Sequence, residues 1–151
     1  MTLSDICALP VSEISEKNCV LLLWAVWPRI FDARDVIKAW GFEYKTIAWV
    51  WVKTTRKSGK YFTGMGYYTR ANTEPCLLAI KGRVPVCAHD VQALIVSPVR
   101  RHSQKPDEQY TKIARLYPYG KRIELFARET RQGWYAWGNE IDGSGDLRGA
   151  R

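Results

Sequence analysis

Cys19-Val20-Leu21-Leu22-Leu23-Trp24-Ala25-Val26 is an unbroken apolar run, and Tyr44-Lys45-Thr46-Ile47-Ala48-Trp49-Val50-Trp51-Val52 is a second strand-like stretch rich in aromatics. Each has the length and content of a buried strand. Between them Pro28 suits the first turn of a helix, and Ile30, Ala33, Ile37 and Trp40 fall on one helical face. Gly41 supplies a left-handed cap, with Phe42 packing behind it. A strand, a helix and a strand in this order predict a right-handed crossover between two parallel strands, which places the chain in the α/β class.

Upstream, Ser4 caps a short helix over 5–9 that Pro10 stops, and residues 12–18 are mostly polar. Downstream, residues 53–70 change character. Lys53, Arg56, Lys57, Lys60 and Arg70 interleave with Tyr61, Phe62, Tyr67 and Tyr68, and Ser58, Gly59, Gly64 and Gly66 are the flexible points. Cations for phosphates and aromatic faces for bases suit a single-stranded or flipped-base substrate. A solvated basic loop followed by core aromatics fits the same residues. Gly64-Met65-Gly66 is no dinucleotide fingerprint, because it follows no strand directly and has no third glycine at the required spacing. Residues 74–81 and 94–96 read as further strands, the second ending at Ser97-Pro98, and His89-Asp90 between them reads as a surface pair.

From His102 onward a loop, a helix, a strand and a loop follow. Pro106 occupies the first helical position, and Asp107 and Glu108 complement the positive end of the dipole. Tyr110, Ile113, Ala114 and Tyr117 form one face. Residues 122–127 read as a buried strand carrying Glu124 among Ile123, Leu125 and Phe126, with Lys105 and Arg128 placed to reach the carboxyl edge where open α/β sheets bind ligands. A nucleoside would use such groups: a carboxylate for ribose hydroxyls, a cation for a ligand carboxylate, and Asn139 for an adenine edge. An ion-paired strand end with no ligand accounts for the same charges, and the pattern alone leaves both open.

With 46% hydrophobic and 25% charged residues over 151 positions, the chain has enough apolar content for one domain over 1–141, followed by a flexible Gly- and charge-rich tail at 142–151. Its longest apolar stretch, 19–28, is half of what a membrane helix needs, and no signal segment opens the chain, so no membrane partner and a cytoplasmic location are expected. Cys7, Cys19, Cys76 and Cys87 lack metal-site spacing and read as reduced core thiols, so no metal is assigned. Lys and Arg outnumber Asp and Glu by 23 to 15, a net charge of +8 that suits a polyanionic partner.

Several motifs together carry a resemblance. His102-Ser103-Gln104-Lys105-Pro106-Asp107-Glu108, Ile123-Glu124-Leu125-Phe126-Ala127-Arg128 and Trp137-Gly138-Asn139-Glu140 are the most specific. Leu3-Ser4-Asp5-Ile6-Cys7-Ala8-Leu9-Pro10, Leu22-Leu23-Trp24, Trp51-Val52-Lys53-Thr54 and Arg70-Ala71-Asn72-Thr73-Glu74-Pro75-Cys76 extend them over nearly the whole chain. In this order they resemble the MT-A (seventy-kDa subunit) family of adenine-N6 methyltransferases, in particular its short bacterial and phage members. The resemblance implies a Rossmann-like methyltransferase fold with permuted motif order, S-adenosylmethionine as donor, and the 6-amino group of adenine in DNA or RNA as acceptor. It implies that Lys105 pairs with the donor's carboxylate, Glu124 and Arg128 hold the ribose region, and Asn139 with Glu140 faces the adenine. The segment 97–105 closes over target and donor in the family, so Arg100, Arg101 and His102 join Lys53, Arg56, Lys57 and Arg70 as substrate contacts.

Two departures matter. Residues 129–133 lack the His-Asn pair of the eukaryotic enzymes. None of the seven prolines adjoins another, so the family's Asp-Pro-Pro-Trp tetrapeptide, at the end of a preceding strand, is absent from these 151 residues. That tetrapeptide aims a poorly nucleophilic amine at the methyl group, so no catalytic residue is assigned here and activity of the chain alone is expected to fall by orders of magnitude. A truncated frame, an internal start or a split protein would explain the loss, with one sheet strand missing at the N-terminus. The second expectation is a non-catalytic nucleic-acid-binding or partner-dependent remnant, and a homo- or hetero-oligomer is compatible with either.

Overall fold

A computed structural model describes residues 1–101, 103–142 and 145–149. The elements run α1 (Leu3–Cys7), α2 (Val11–Ile14), β1 (Cys19–Trp24), α3 (Ile30–Ala39), β2 (Glu43–Thr54), β3 (Thr73–Lys81), β4 (Leu94–Pro98), α4 (Glu108–Leu116), β5 (Ile123–Leu125) and β6 (Tyr135–Trp137). The crossover through α3 does join two parallel strands, yet they are not neighbours. The main sheet has the order β1-β3-β2-β4, with β3 antiparallel to both β1 and β2, and β4 parallel to β2. Three strands therefore point the same way, and β3 returns between two of them.

The aromatic-rich β2 works because its alternation serves two layers. Trp49 and Trp51 are buried with Cys76, Ile95 and Ile113 of α4. On β3, Leu77 and Ala79 point the other way, into a cluster with Ala33, Val36, Ile37 and Trp40 from α3 and its cap. Side chains two apart share a sheet face, so α3 and α4 cover opposite faces. Burying one side chain of tryptophan size contributes about 3 kcal/mol. The α3 terminus closes as the sequence predicts: Gly41 has φ +79°, its N–H donates to Lys38 and that of Phe42 to Ile37.

Several expectations change. Thr2, not Ser4, caps α1, in a reciprocal pairing with Asp5. α4 starts at Glu108 with Asp107 as its cap residue, so Pro106 precedes the helix, and its inner face is Gln109 and Ile113 with Ala114 exposed. Residues 122–127 were expected as a buried strand. Only Ile123–Leu125 are extended, half-buried, in a separate two-stranded parallel sheet with β6. β1 is likewise half-buried at all six positions, because β3 flanks it on one side and no strand flanks it on the other among the described residues. Of the four cysteines, all free, Cys76 alone is fully buried and Cys87 is exposed, which corrects the reading of Cys87 as a core thiol. Within 142–151, Leu147 is buried in the α3 cluster and Arg148 pairs with Glu13 of α2 at 2.6 Å. Among the described residues no helix is long and apolar enough to cross a membrane, and no cluster suits a metal.

Candidate functional site

Because β3 runs antiparallel, its first residues lie beside the last residues of β1 and β2: Trp24 stands opposite Cys76, Trp51 opposite Glu74 and Val52 opposite Thr73, while Lys53 stands opposite Ser97 of β4. The carboxyl ends of the three parallel strands thus meet at one edge, where α/β folds place ligands.

Glu74 is the centre of that edge. Its carboxylate takes Lys53 on one oxygen and Lys105 on the other, with only 13% of its side chain exposed. Burial works to raise the Glu74 carboxyl, but hydrogen bonds and charge from Lys105 and Lys53 outweigh it and hold it below the ordinary range. Both ammonium groups also lie over indoles, Lys105 5.5 Å from the Trp24 ring and Lys53 5.1 Å from that of Trp51. The two indoles pack edge to face at 6.4 Å, and Trp24 Nε1 donates to Gln109 of α4 at 2.8 Å. Beside them Trp27 Nε1 donates to Thr73 at 2.9 Å.

The next residue of α4 reaches the second sheet. The Tyr110 hydroxyl donates to Glu124 at 2.8 Å; burial and then the Glu124 hydrogen bond push it up to about 12, so it remains a donor at neutral pH. Arg131 stacks 3.7 Å from the centroid of the Tyr110 ring and pairs with Asp107 at 3.1 Å, which also takes Arg100 at 2.6 Å. The Arg131 Nε is buried and has no hydrogen-bond acceptor. Arg128 pairs with Glu140 at 3.5 Å, both largely exposed, and Asn139 is exposed beside them. Between Glu124 and Arg128 the chain passes through Phe126 at φ +59°, a conformation that is costly for a bulky residue and tends to mark ligand sites.

Of the sequence-predicted residues, Lys53 and Lys105 converge on Glu74, and Arg128 meets Glu140. Glu124 joins the Lys105 side only through adjacent residues of α4. Arg56 Nε donates to the Val99 carbonyl at 2.8 Å. Lys57, Arg70 and Arg101 are exposed, and His102 lies outside the described residues. Tyr61, Tyr67 and Tyr68 are exposed, as is Met65, whereas Phe62 is half-buried. Sequence reasoning missed Glu74, Gln109, Tyr110 and Arg131 as site residues. The signal for Glu74 was a carboxylate opening an otherwise apolar strand, the same signal that singled out Glu124.

Three parallel strands with a polar cluster at their carboxyl ends and helices on both faces define an α/β domain. The family model described as MT-A70 matches residues 1–140, and the chain belongs to that family, whose fold is Rossmann-like. It is 34% identical over 143 residues to the type II methyltransferase M.MunI of Mycoplasma sp, a match covering 93% of this chain and 58% of that protein. It is also 34% identical over 134 residues to the human N(6)-adenosine-methyltransferase catalytic subunit METTL3, covering 86% of this chain and 23% of the relative. A putative N(6)-adenosine-methyltransferase MT-A70-like protein of Medicago truncatula is 35% identical over 132 residues, covering 85% and 21%. The chain thus spans little more than half of the first relative and about a fifth of the other two.

Proposed function

We propose that this chain forms the donor- and target-binding part of an S-adenosylmethionine-dependent methyltransferase acting on the 6-amino group of adenine in nucleic acid. The observation that carries the reading is the gathering of Lys53, Glu74 and Lys105 at the carboxyl edge, beside the Tyr110–Glu124 pair. The residues fit the donor. Glu124 offers a carboxylate to ribose hydroxyls, Lys105 a cation to the amino-acid carboxylate, Asn139 a donor and acceptor to the adenine, and Arg128 with Glu140 closes that end. The acceptor-free Arg131 Nε beside Tyr110 is a donor awaiting an oxygen. When bound, the donor supplies an electrophilic methyl group on a sulfonium. Lys105 has to exchange part of its pairing with Glu74 for the ligand carboxylate, and Lys53 keeps Glu74 compensated while it does so. Arg56, Lys57, Arg70, Arg100 and Arg101 face the nucleic acid in this reading, with the exposed tyrosines as stacking surfaces.

Amine positioning falls to the tetrapeptide, which these residues lack. Its strand fits the open side of β1, whose six apolar residues are only half-buried. The chain alone then binds without efficient turnover, and a partner or further segment restores chemistry. A second reading, a nucleic-acid-binding remnant with no donor site, is favoured by the engagement of Lys105 with Glu74. Calorimetric titration of the 151-residue chain with S-adenosylhomocysteine, beside Lys105→Ala, separates the two. Saturable binding lost in a folded variant is the expected result. No binding by the folded wild-type chain leaves the remnant.

A further inference from the structure

We propose that the groove between the end of β4 and the first turn of α4 is a subsite for one backbone phosphate of the nucleic acid. This rests on the target class proposed above and adds a contact separate from the donor site. The groove has an open volume of about 670 Å³, and Arg56, Ser97, Arg100, Asp107, Glu108 and Thr111 contribute its polar lining.

The decisive observation is Ser97. Its carbonyl accepts from Trp51 Nε1 at 3.0 Å, but its hydroxyl is buried and has no partner, with the residue only 6% exposed. Ile95, two residues earlier on the strand, packs against Ile113 of α4, so Ser97 faces the same helix across the groove. A buried hydroxyl without a partner is costly, and a ligand oxygen would satisfy it. The charges agree. Arg56 anchors its Nε on Val99 and makes no ion pair among the described residues, which leaves the rest of its guanidinium to the groove. Asp107 is neutralised by Arg100 and Arg131 together. α4 is nine residues long and its N-terminus has no side-chain cap, so its positive end is open to an anion. Thr111 adds a hydroxyl one turn along. Glu108 alone opposes an anion, from the exposed rim.

The test is anisotropy of a fluorescein-labelled single-stranded, adenine-containing oligonucleotide titrated with the 151-residue chain over a salt series. Arg56→Gln is expected to weaken binding about tenfold and to lower the slope of log affinity against log salt by about 0.7. Ser97→Ala should weaken it about fivefold with the slope unchanged. Glu108→Gln should tighten it about threefold, a gain that misfolding does not produce. Wild-type binding that all three substitutions leave untouched overturns the subsite alone. Failure of the folded wild-type chain to bind the oligonucleotide overturns the target class and the subsite with it.

Discussion

The two halves of the candidate site are built to different standards. Around Glu74, two lysines, two indoles and Gln109 meet at the ends of hydrogen-bonded strands, and the central carboxylate is almost wholly enclosed. Around Glu124, the strands are three residues long, Arg128 and Glu140 stand 3.5 Å apart with both side chains exposed, and Glu124 itself is half-buried and accepts from Tyr110. A buried ion cluster is held by the fold whether or not a ligand is present, whereas an exposed pair contributes little until a ligand orders it. The first half should therefore register in stability and the second in binding.

The largest expected effect is at Glu74. Glu74→Ala leaves two lysines without their shared partner in a mostly buried setting and is expected to cost about 3 kcal/mol, read by urea unfolding. A loss below about 1 kcal/mol would mean that the cluster is not held by the fold. The pH dependence has a definite sign. Glu74 is held below its ordinary value of 4.5, so its stabilisation is complete above that pH and drains away as the pH falls through the folded value. Glu74→Gln should be less stable at neutral pH and should lose less on acidification than the wild type.

Next in size is a change that reaches the weaker half through the backbone. A Cβ on Gly138 would lie 2.1 Å from the Ala127 carbonyl oxygen and 2.7 Å from its nitrogen. Ala127 also donates to Trp137 at 2.9 Å, so the end of β5 and the end of β6 touch there. Gly138→Ala has to separate them, at a cost of about 2 kcal/mol, and should displace Arg128 from Glu140. A melting temperature equal to that of wild type would show that the second sheet yields freely.

Much of this division was legible in the sequence and some was not. The α3 helix, its glycine cap and the strands on either side follow from apolar spacing and one left-handed residue, all local signals. The insertion of β3 between β1 and β2 pairs Trp24 with Cys76 and Cys19 with Lys81, far apart in the chain, and spacing carries no record of it. Residues 122–127 are apolar enough for a buried strand, but burial needs a neighbour. β5 has only β6, so the run shortens to three residues. Glu124 stands out as a carboxylate within an apolar run, and Lys105 as a cation just ahead of a helix that reaches the sheet's carboxyl edge. Tyr110 falls on the apolar face of its helix because a phenol ring counts as apolar there, and its hydroxyl turns out to be one hydrogen-bonded link between the two halves.

That link predicts a smaller, divided effect. Tyr110→Phe keeps the ring beneath Arg131 and removes the hydroxyl that donates to Glu124. The expected loss is about 1 kcal/mol in stability and several-fold in S-adenosylhomocysteine affinity. Unchanged affinity with the stability loss intact would separate Glu124 from the donor.

The smallest stability effect belongs to Arg128. Its side chain is 45% exposed and that of Glu140 58%, at a separation of 3.5 Å, so Arg128→Ala should change unfolding free energy by no more than about 0.5 kcal/mol. Its effect on donor affinity should be tenfold or more if the ribose region rests on it, because a charged hydrogen bond to a ligand is lost while the fold is left alone. A variant that is both as stable and as tight-binding as wild type would remove Arg128 from the site and reduce the second half to Glu124 and Asn139. The opposite result, a large stability loss, would mean that the exposed pair is held by neighbours as firmly as Glu74, and the contrast between the two halves would disappear.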